Sequence, residues 1–151
     1  MSAAVEYVPK RGAAKDRRFI GDEALRNTTI LGLDGFEVKV RLTSYRSLPL
    51  SCIKSVSLSV DGEQCDPAAL LLTVNYATYR LRELPQLSSV WWFILDYARL
   101  FSPRQLPLTP GLHEISGTLI TVEPYMTAGR FAFHNSATKT LRLDDAEAGR
   151  R

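Results

Sequence analysis

Seven consecutive residues, Phe36-Glu37-Val38-Lys39-Val40-Arg41-Leu42, alternate apolar and charged without a break. Successive side chains of an extended chain point to opposite faces. The alternation therefore predicts a strand that buries Phe36, Val38, Val40 and Leu42 and presents Glu37, Lys39 and Arg41 on its other face. A strand with one buried face must lie against a second apolar layer, and that requirement directs the search for further strands.

Those strands are present. Thr28 to Leu31 reads as a short strand joined to Phe36–Leu42 as a hairpin, with Asp34-Gly35 as the turn signal. Val56-Ser57-Leu58-Ser59-Val60 repeats the alternation with serines outward and ends in Asp61-Gly62. Leu70–Val74 and Thr78–Arg82 follow, linked through Asn75 to Ala77. Ile115–Val122 is reached through Pro110-Gly111, and Thr138–Leu143 closes the series. Short strands punctuated by Gly, Pro and Asp predict an all-β antiparallel sandwich, jelly-roll-like or immunoglobulin-like. Val90 to Phe101 fits two descriptions. As a strand it is apolar on both faces; as a helix, Leu87, Val90, Ile94, Tyr97 and Phe101 form a stripe. In the strand description its greasy outer face is covered by a second sheet, by the Ser102–Pro110 loop, or by a partner.

At 151 residues, 45% hydrophobic and 23% charged, the chain is large enough for one domain with its own core. No apolar run approaches the roughly 20 residues of a bilayer span. The formal net charge is +3, and residues 1–18 alone carry +3, against +1 for 19–143 and −1 for 144–151. The expected organisation is a flexible basic arm over 1–18, a sandwich over 19–143 and a tail over 144–151. A nucleic-acid reader is expected to carry its basic stripe on the folded body, so no nucleic-acid partner is expected. Arg17-Arg18-Phe19 has the look of a twin-arginine start, but Gly21 to Arg26 is charged where a leader needs an apolar stretch. The expected location is the cytoplasm. Cys52 and Cys65 have no CxxC or HxxxH companion and are expected as buried thiols rather than a disulfide or zinc ligands.

Motifs for chemistry are sparse. The two histidines are His113, opening a strand, and His134, expected in a Phe133–Ser136 loop; neither has a second ligand at metal spacing. The chain has no GxSxG, GxGxxG or GxxxxGK[ST]. Asp96, after the apolar run, is the carboxylate whose surroundings would raise its pKa; the plainer role is a strand-end or capping Asp. No catalytic, cofactor-binding or metal residue is assigned. Three loops instead have the aromatic, cationic and apolar mixture of contact surfaces: Thr43–Ser51, Glu123–Thr127 and Arg130–His134. With the Trp91-Trp92 run they nominate Tyr45, Arg46, Leu48, Pro49, Trp91, Trp92, Tyr125, Met126 and Phe133 as a partner interface.

Gly35-Phe36-Glu37-Val38-Lys39-Val40-Arg41-Leu42, then Tyr45-Arg46-Ser47-Leu48-Pro49-Leu50-Ser51, then Val60-Asp61-Gly62-Glu63, resembles the small β subunit of bacterial C-glycoside deglycosidases. Thr78-Tyr79, Trp92-Phe93, Leu108 to Glu114 and Thr138-Lys139-Thr140-Leu141 continue the resemblance over roughly residues 26 to 143. It implies a β-sandwich without a catalytic centre, paired as a heterodimer with a larger (β/α)₈-barrel α subunit similar to sugar-phosphate isomerases. That partner would hold a divalent metal, expected to be manganese, and bind most of the substrate, a C-glucoside oxidised at the sugar 3-position. The implied lyase reaction belongs to C-glycoside catabolism. A base removes the C2 proton acidified by the 3-keto group, and the carbon–carbon bond to the aglycone breaks as that carbon is protonated. This chain would stabilise the α subunit and help close its active site, with Tyr45 or His134 as the residues that could enter it. The alternative from another class is a carbohydrate-binding sandwich whose Trp91 and Trp92 stack on sugar rings. A freestanding enzyme is a third.

Overall fold

A computed structural model describes residues 8–9, 19–22, 25–43, 46–123 and 131–143. The expected tail lies outside these residues, as does the expected arm apart from Val8–Pro9.

Twelve strands are described: β1 (Val8–Pro9), β2 (Arg26–Ile30), β3 (Leu33–Arg41), β4 (Leu48–Pro49), β5 (Ile53–Val60), β6 (Glu63–Gln64), β7 (Leu71–Val74), β8 (Ala77–Arg80), β9 (Trp91–Trp92), β10 (Tyr97–Pro103), β11 (Gly111–Val122) and β12 (Phe131–Leu143). They form a sheet of order β1-β12-β11-β5-β6, a second of order β2-β3-β10-β7-β8, and the small pair β4-β9. Among the described residues, β1 alone pairs in parallel and every other ladder is antiparallel. The two five-stranded sheets share one core. Phe36, Val38 and Val40 of β3 and Leu100 of β10 meet Val56, Leu58 and Val60 of β5 and Ile115 and Leu119 of β11. Phe36, Val38 and Val40 face this core as expected, and Leu42, just past the end of β3, is buried too; Glu37, on the opposite face, is also buried, at 1% exposure.

Three hairpins close through two-residue turns with positive φ at both central residues: Leu31-Gly32 (53° and 79°), Asp61-Gly62 (51° and 83°) and Asn75-Tyr76 (53° and 69°). Such turns carry the twist that antiparallel strands need. The first corrects an expectation. Asp34-Gly35 is not the turn but part of β3, where Gly35 pairs with Pro103 of β10. A Cβ at Gly35 would lie 2.1 Å from the Ser102 carbonyl oxygen and 2.7 Å from Phe101 Cζ. Glycine is there for close strand approach, not for turning.

The ambiguous segment 90–101 is extended, not helical: β9, a turn, then β10. Two further expectations fail. Phe133–Ser136 is not a loop but lies in β12, which runs 13 residues and pairs with β11 from Phe131's neighbour Ala132 to Leu143. Leu81-Arg82 leaves the strand and enters a 3-10 turn, Leu81–Gln86, in which Leu84 is buried against the core. Among the described residues, no helix is long and apolar enough to cross a membrane. Cys52 and Cys65 are buried free thiols. Burial pushes both thiols above their ordinary pKa.

Candidate partner-binding surface

The β4–β9 pair joins two segments nominated from sequence. Leu48 lies opposite Trp92 and Pro49 opposite Trp91. Alternation along these two-residue strands turns one member of each inward. Leu48 and Trp92 are buried at 0% and 1% exposure, while Pro49 is half-buried and Trp91 stands 43% exposed. The Trp92 indole N–H donates to the Asp96 carbonyl at 3.0 Å, which satisfies its polar end inside the core. The Ile94 N–H donates to Ser47 Oγ at 2.8 Å, and the Leu50 N–H to the Val90 carbonyl at 2.8 Å. The Asn75 side chain donates to the Trp91 carbonyl at 3.2 Å, bringing the β7–β8 turn to the same place.

The result is an apolar band. Trp91, Phe93, Leu95 and Tyr97 are all exposed, Leu95 at 80%, and Tyr76 beside them is fully exposed. Exposed aromatic and aliphatic side chains gathered in one short segment have the composition of interface cores. Phe93, Leu95, Tyr97 and Tyr76 were not nominated individually from sequence. The available signal was the two-faced apolar character of 90–101.

Arg46 is exposed just before β4. Phe133 is half-buried in β12, opposite Thr121, which itself pairs with Ile53 at the start of β5. The chain from Leu48 through Ile53 therefore links the Trp92 and Phe133 neighbourhoods. Tyr45, Tyr125 and Met126 lie outside the described residues. Leu48 and Trp92 serve the chain's own core, so their place in this surface is to hold Pro49 and Trp91 in position. A sugar-stacking platform would likewise have Trp91 but not Trp92.

Among the described residues, no catalytic constellation is assembled. His113 is buried and held on both ring nitrogens, Nδ1 to Asp61 Oδ2 at 2.6 Å and Nε2 to the Thr109 carbonyl at 2.6 Å. His134 lies opposite Ile120, its Nε2 enclosed without a hydrogen-bond partner among the described residues. Asp96 is exposed and stands immediately before β10, the strand-end position of the plainer reading. No three His, Cys, Asp or Glu side chains among the described residues are grouped as metal ligands.

Comparison with known proteins decides the affiliation. Residues 15–125 match the family model described as C-glycoside deglycosidase beta subunit. This chain belongs to that family. A 3'-dehydrocarminate deglycosidase beta subunit from Microbacterium sp is 33% identical over 123 residues, covering 82% of this chain and 92% of the relative. A C-glycoside deglycosidase beta subunit from Arthrobacter globiformis is 32% identical over 127 residues, covering 82% and 97%. The family match begins at residue 15, inside the expected arm, and stops at 125. It thus contains the β4–β9 pair and the exposed band but not β12.

Proposed function

We propose that this family member is the small, non-catalytic subunit of a heteromeric C-glycoside deglycosidase acting in the cytoplasm. Its partner is a larger α subunit built as a (β/α)₈ barrel with a divalent metal, manganese, at its active site. Together they cleave the carbon–carbon bond between a 3-oxo-glucosyl group and an aromatic aglycone by elimination. The observation that carries this reading is the match to relatives named as beta subunits over nearly their full length.

The geometry above supports the work proposed for this chain. The apolar band of Trp91, Phe93, Leu95 and Tyr76 docks on the barrel. A barrel's active site opens at one rim, and a rigid β surface set there excludes water and walls the aglycone pocket. The metal on the partner would stabilise the negative charge left when the C2 proton is removed. No residue of this chain is assigned to that transfer. The rigidity comes from the core: Leu48 and Trp92 anchor the strands whose outward neighbours make the contact.

The test is reconstitution. This chain and a candidate α subunit are purified separately and mixed, and a 3-oxo-C-glucoside is assayed for aglycone release. Turnover only in the mixture, with 1:1 co-elution, supports the reading. Turnover by this chain alone would replace it with a freestanding enzyme. Absence of co-elution together with saturable glycan binding would replace it with a carbohydrate-binding module.

A further inference from the structure

The outer face of the β2–β3–β10 part of the sandwich is cationic, which the near-neutral charge of 19–143 conceals. Register sets this out. Glu37 lies opposite Arg26 of β2, Lys39 opposite Arg99 of β10, and Arg41 opposite Tyr97. These side chains share the face away from the core that buries Phe36, Val38 and Val40. Glu37 is 1% exposed, and one carboxylate oxygen accepts from both Arg26 Nε, at 2.6 Å, and Arg99 Nη1, at 2.9 Å. It therefore fixes two guanidiniums side by side while neutralising only one charge. The Tyr97 ring lies under the other two cations, with Lys39 Nζ 5.8 Å and Arg41 Cζ 5.4 Å from its centre. A Cβ at Gly21 would come within 3.0 Å of Tyr97 Cε1, so the glycine leaves room for the ring. Among the described residues, no carboxylate pairs with Lys39 or Arg41.

Four cations against one carboxylate, held in fixed positions, complement a surface of carboxylates. Tyr97 is also exposed, as are Leu95, Phe93 and Trp91 in the segment leading to it. Cations alone would suit a nucleic acid, but exposed Leu95 and Phe93 add nothing to phosphate binding and suit a protein. We propose that this face meets acidic side chains of the larger subunit, with Lys39 and Arg41 as the contacting cations and Tyr97 as their platform. The inference rests on the subunit reading above and adds the chemistry of the partner's surface.

The experiment measures the dissociation constant of the reconstituted heteromer against salt and against charge reversal. For the unaltered chain, raising salt from about 0.05 to about 0.5 M is expected to weaken binding about tenfold or more, mainly through a slower on-rate. Lys39→Glu/Arg41→Glu is expected to weaken it by a further tenfold or more at low salt and to flatten the salt dependence. Arg82→Glu/Arg142→Glu, the same charge change at exposed positions elsewhere, should leave it within about twofold. Thermal melts of each variant establish that it is folded. Lys39→Gln/Arg41→Gln, which adds no repulsion, should still flatten the salt dependence. A heteromer that forms but is indifferent to salt and to both substitutions overturns the acidic surface and leaves the subunit reading standing. Failure of the unaltered chain to form a heteromer overturns both. Tight, salt-sensitive binding of an unrelated oligonucleotide that competes with the subunit assigns the face to nucleic acid instead.

Discussion

His113 Nδ1 lies 2.6 Å from Asp61 Oδ2, and the opposite ring nitrogen lies 2.6 Å from the Thr109 carbonyl. Two acceptors can be served together only by a ring protonated on both nitrogens. Burial works against that charge, but the hydrogen bonds to Thr109 and Asp61 outweigh it and raise the His113 pKa above its ordinary value. The hydrogen bond from His113, then the Glu114 N–H, hold Asp61 below the usual carboxylate value. The His113 contribution is complete below about pH 6.5 and is lost as pH rises through the raised pKa. The Asp61 contribution is complete above about pH 4 and is lost as pH falls through the lowered one. Asp61→Asn keeps a residue tolerant of positive φ. It should cost about 1–2 kcal/mol between about pH 4 and pH 6.5 and less by about pH 9. Urea titrations across pH, with the His113 imidazole followed by NMR, check this; a pH-independent difference would refute it.

Gly35→Ala should be among the most damaging single-methyl additions in the chain. The added carbon meets backbone, the Ser102 carbonyl and Pro103 Cα, as well as the fully buried Phe101 ring. We expect a loss of about 3 kcal/mol. At Gly32 a Cβ meets nothing within 4 Å, and only the positive φ of 79° is at stake, so Gly32→Ala should cost about 1 kcal/mol. Chemical denaturation of the two variants ranks them; equal losses would mean that the β3–β10 approach relaxes readily.

Neighbouring tryptophans should separate stability from assembly. Trp92→Ala removes a buried indole and its hydrogen bond, at a cost of about 3–5 kcal/mol. Trp91→Ala should shift stability by less than about 1 kcal/mol and weaken binding to the larger subunit about tenfold or more. Melting curves and titration calorimetry on the same samples read both effects.

Tyr76 is fully exposed with φ of 69°, a backbone conformation that costs a non-glycine residue about 1 kcal/mol or more. Tyr76→Gly is therefore expected to raise stability by about 0.5–1 kcal/mol while lowering affinity for the partner. A gain in stability with unchanged affinity would remove Tyr76 from the contact surface.

Glu37→Gln leaves Arg26 and Arg99 facing each other with their shared charge partner gone. Since both guanidiniums are partly exposed, the expected cost is about 1–2 kcal/mol. It should shrink in about 1 M salt, which screens the remaining repulsion. Denaturation at low and high salt measures it.

The sandwich was legible wherever one face of a strand is apolar and the other is not. Phe36–Leu42 and Val56–Val60 are such cases, because burial on one side imposes period two on the residues themselves. Turns were harder. Asp61-Gly62 turns the chain and Asp34-Gly35 does not, though the dipeptides are identical; what distinguishes them is a neighbouring strand 2.1 Å from a would-be Cβ, which is tertiary information. His134 was misplaced for a related reason. Phe133-His134-Asn135-Ser136 lacks alternation, yet β11 runs 12 residues and supplies an unbroken ladder to pair with. At the proposed contact surface, the Leu48-Pro49 and Trp91-Trp92 segments stand out by composition, but their pairing does not. The clustering of Arg26, Lys39, Arg41 and Arg99 was hidden because register between β2, β3 and β10 sets it.

The β4–β9 ladder divides labour by a step of one residue: Leu48 and Trp92 face inward, Pro49 and Trp91 outward. A single inserted or deleted residue just ahead of either strand would exchange these roles, exposing an indole built for the core and forcing its neighbour inside. In descendants of this sequence, length in these two short stretches should accordingly be held more tightly than side-chain identity at Pro49 or Trp91. Partner preference can then drift by substitution while the frame that presents it stays in phase.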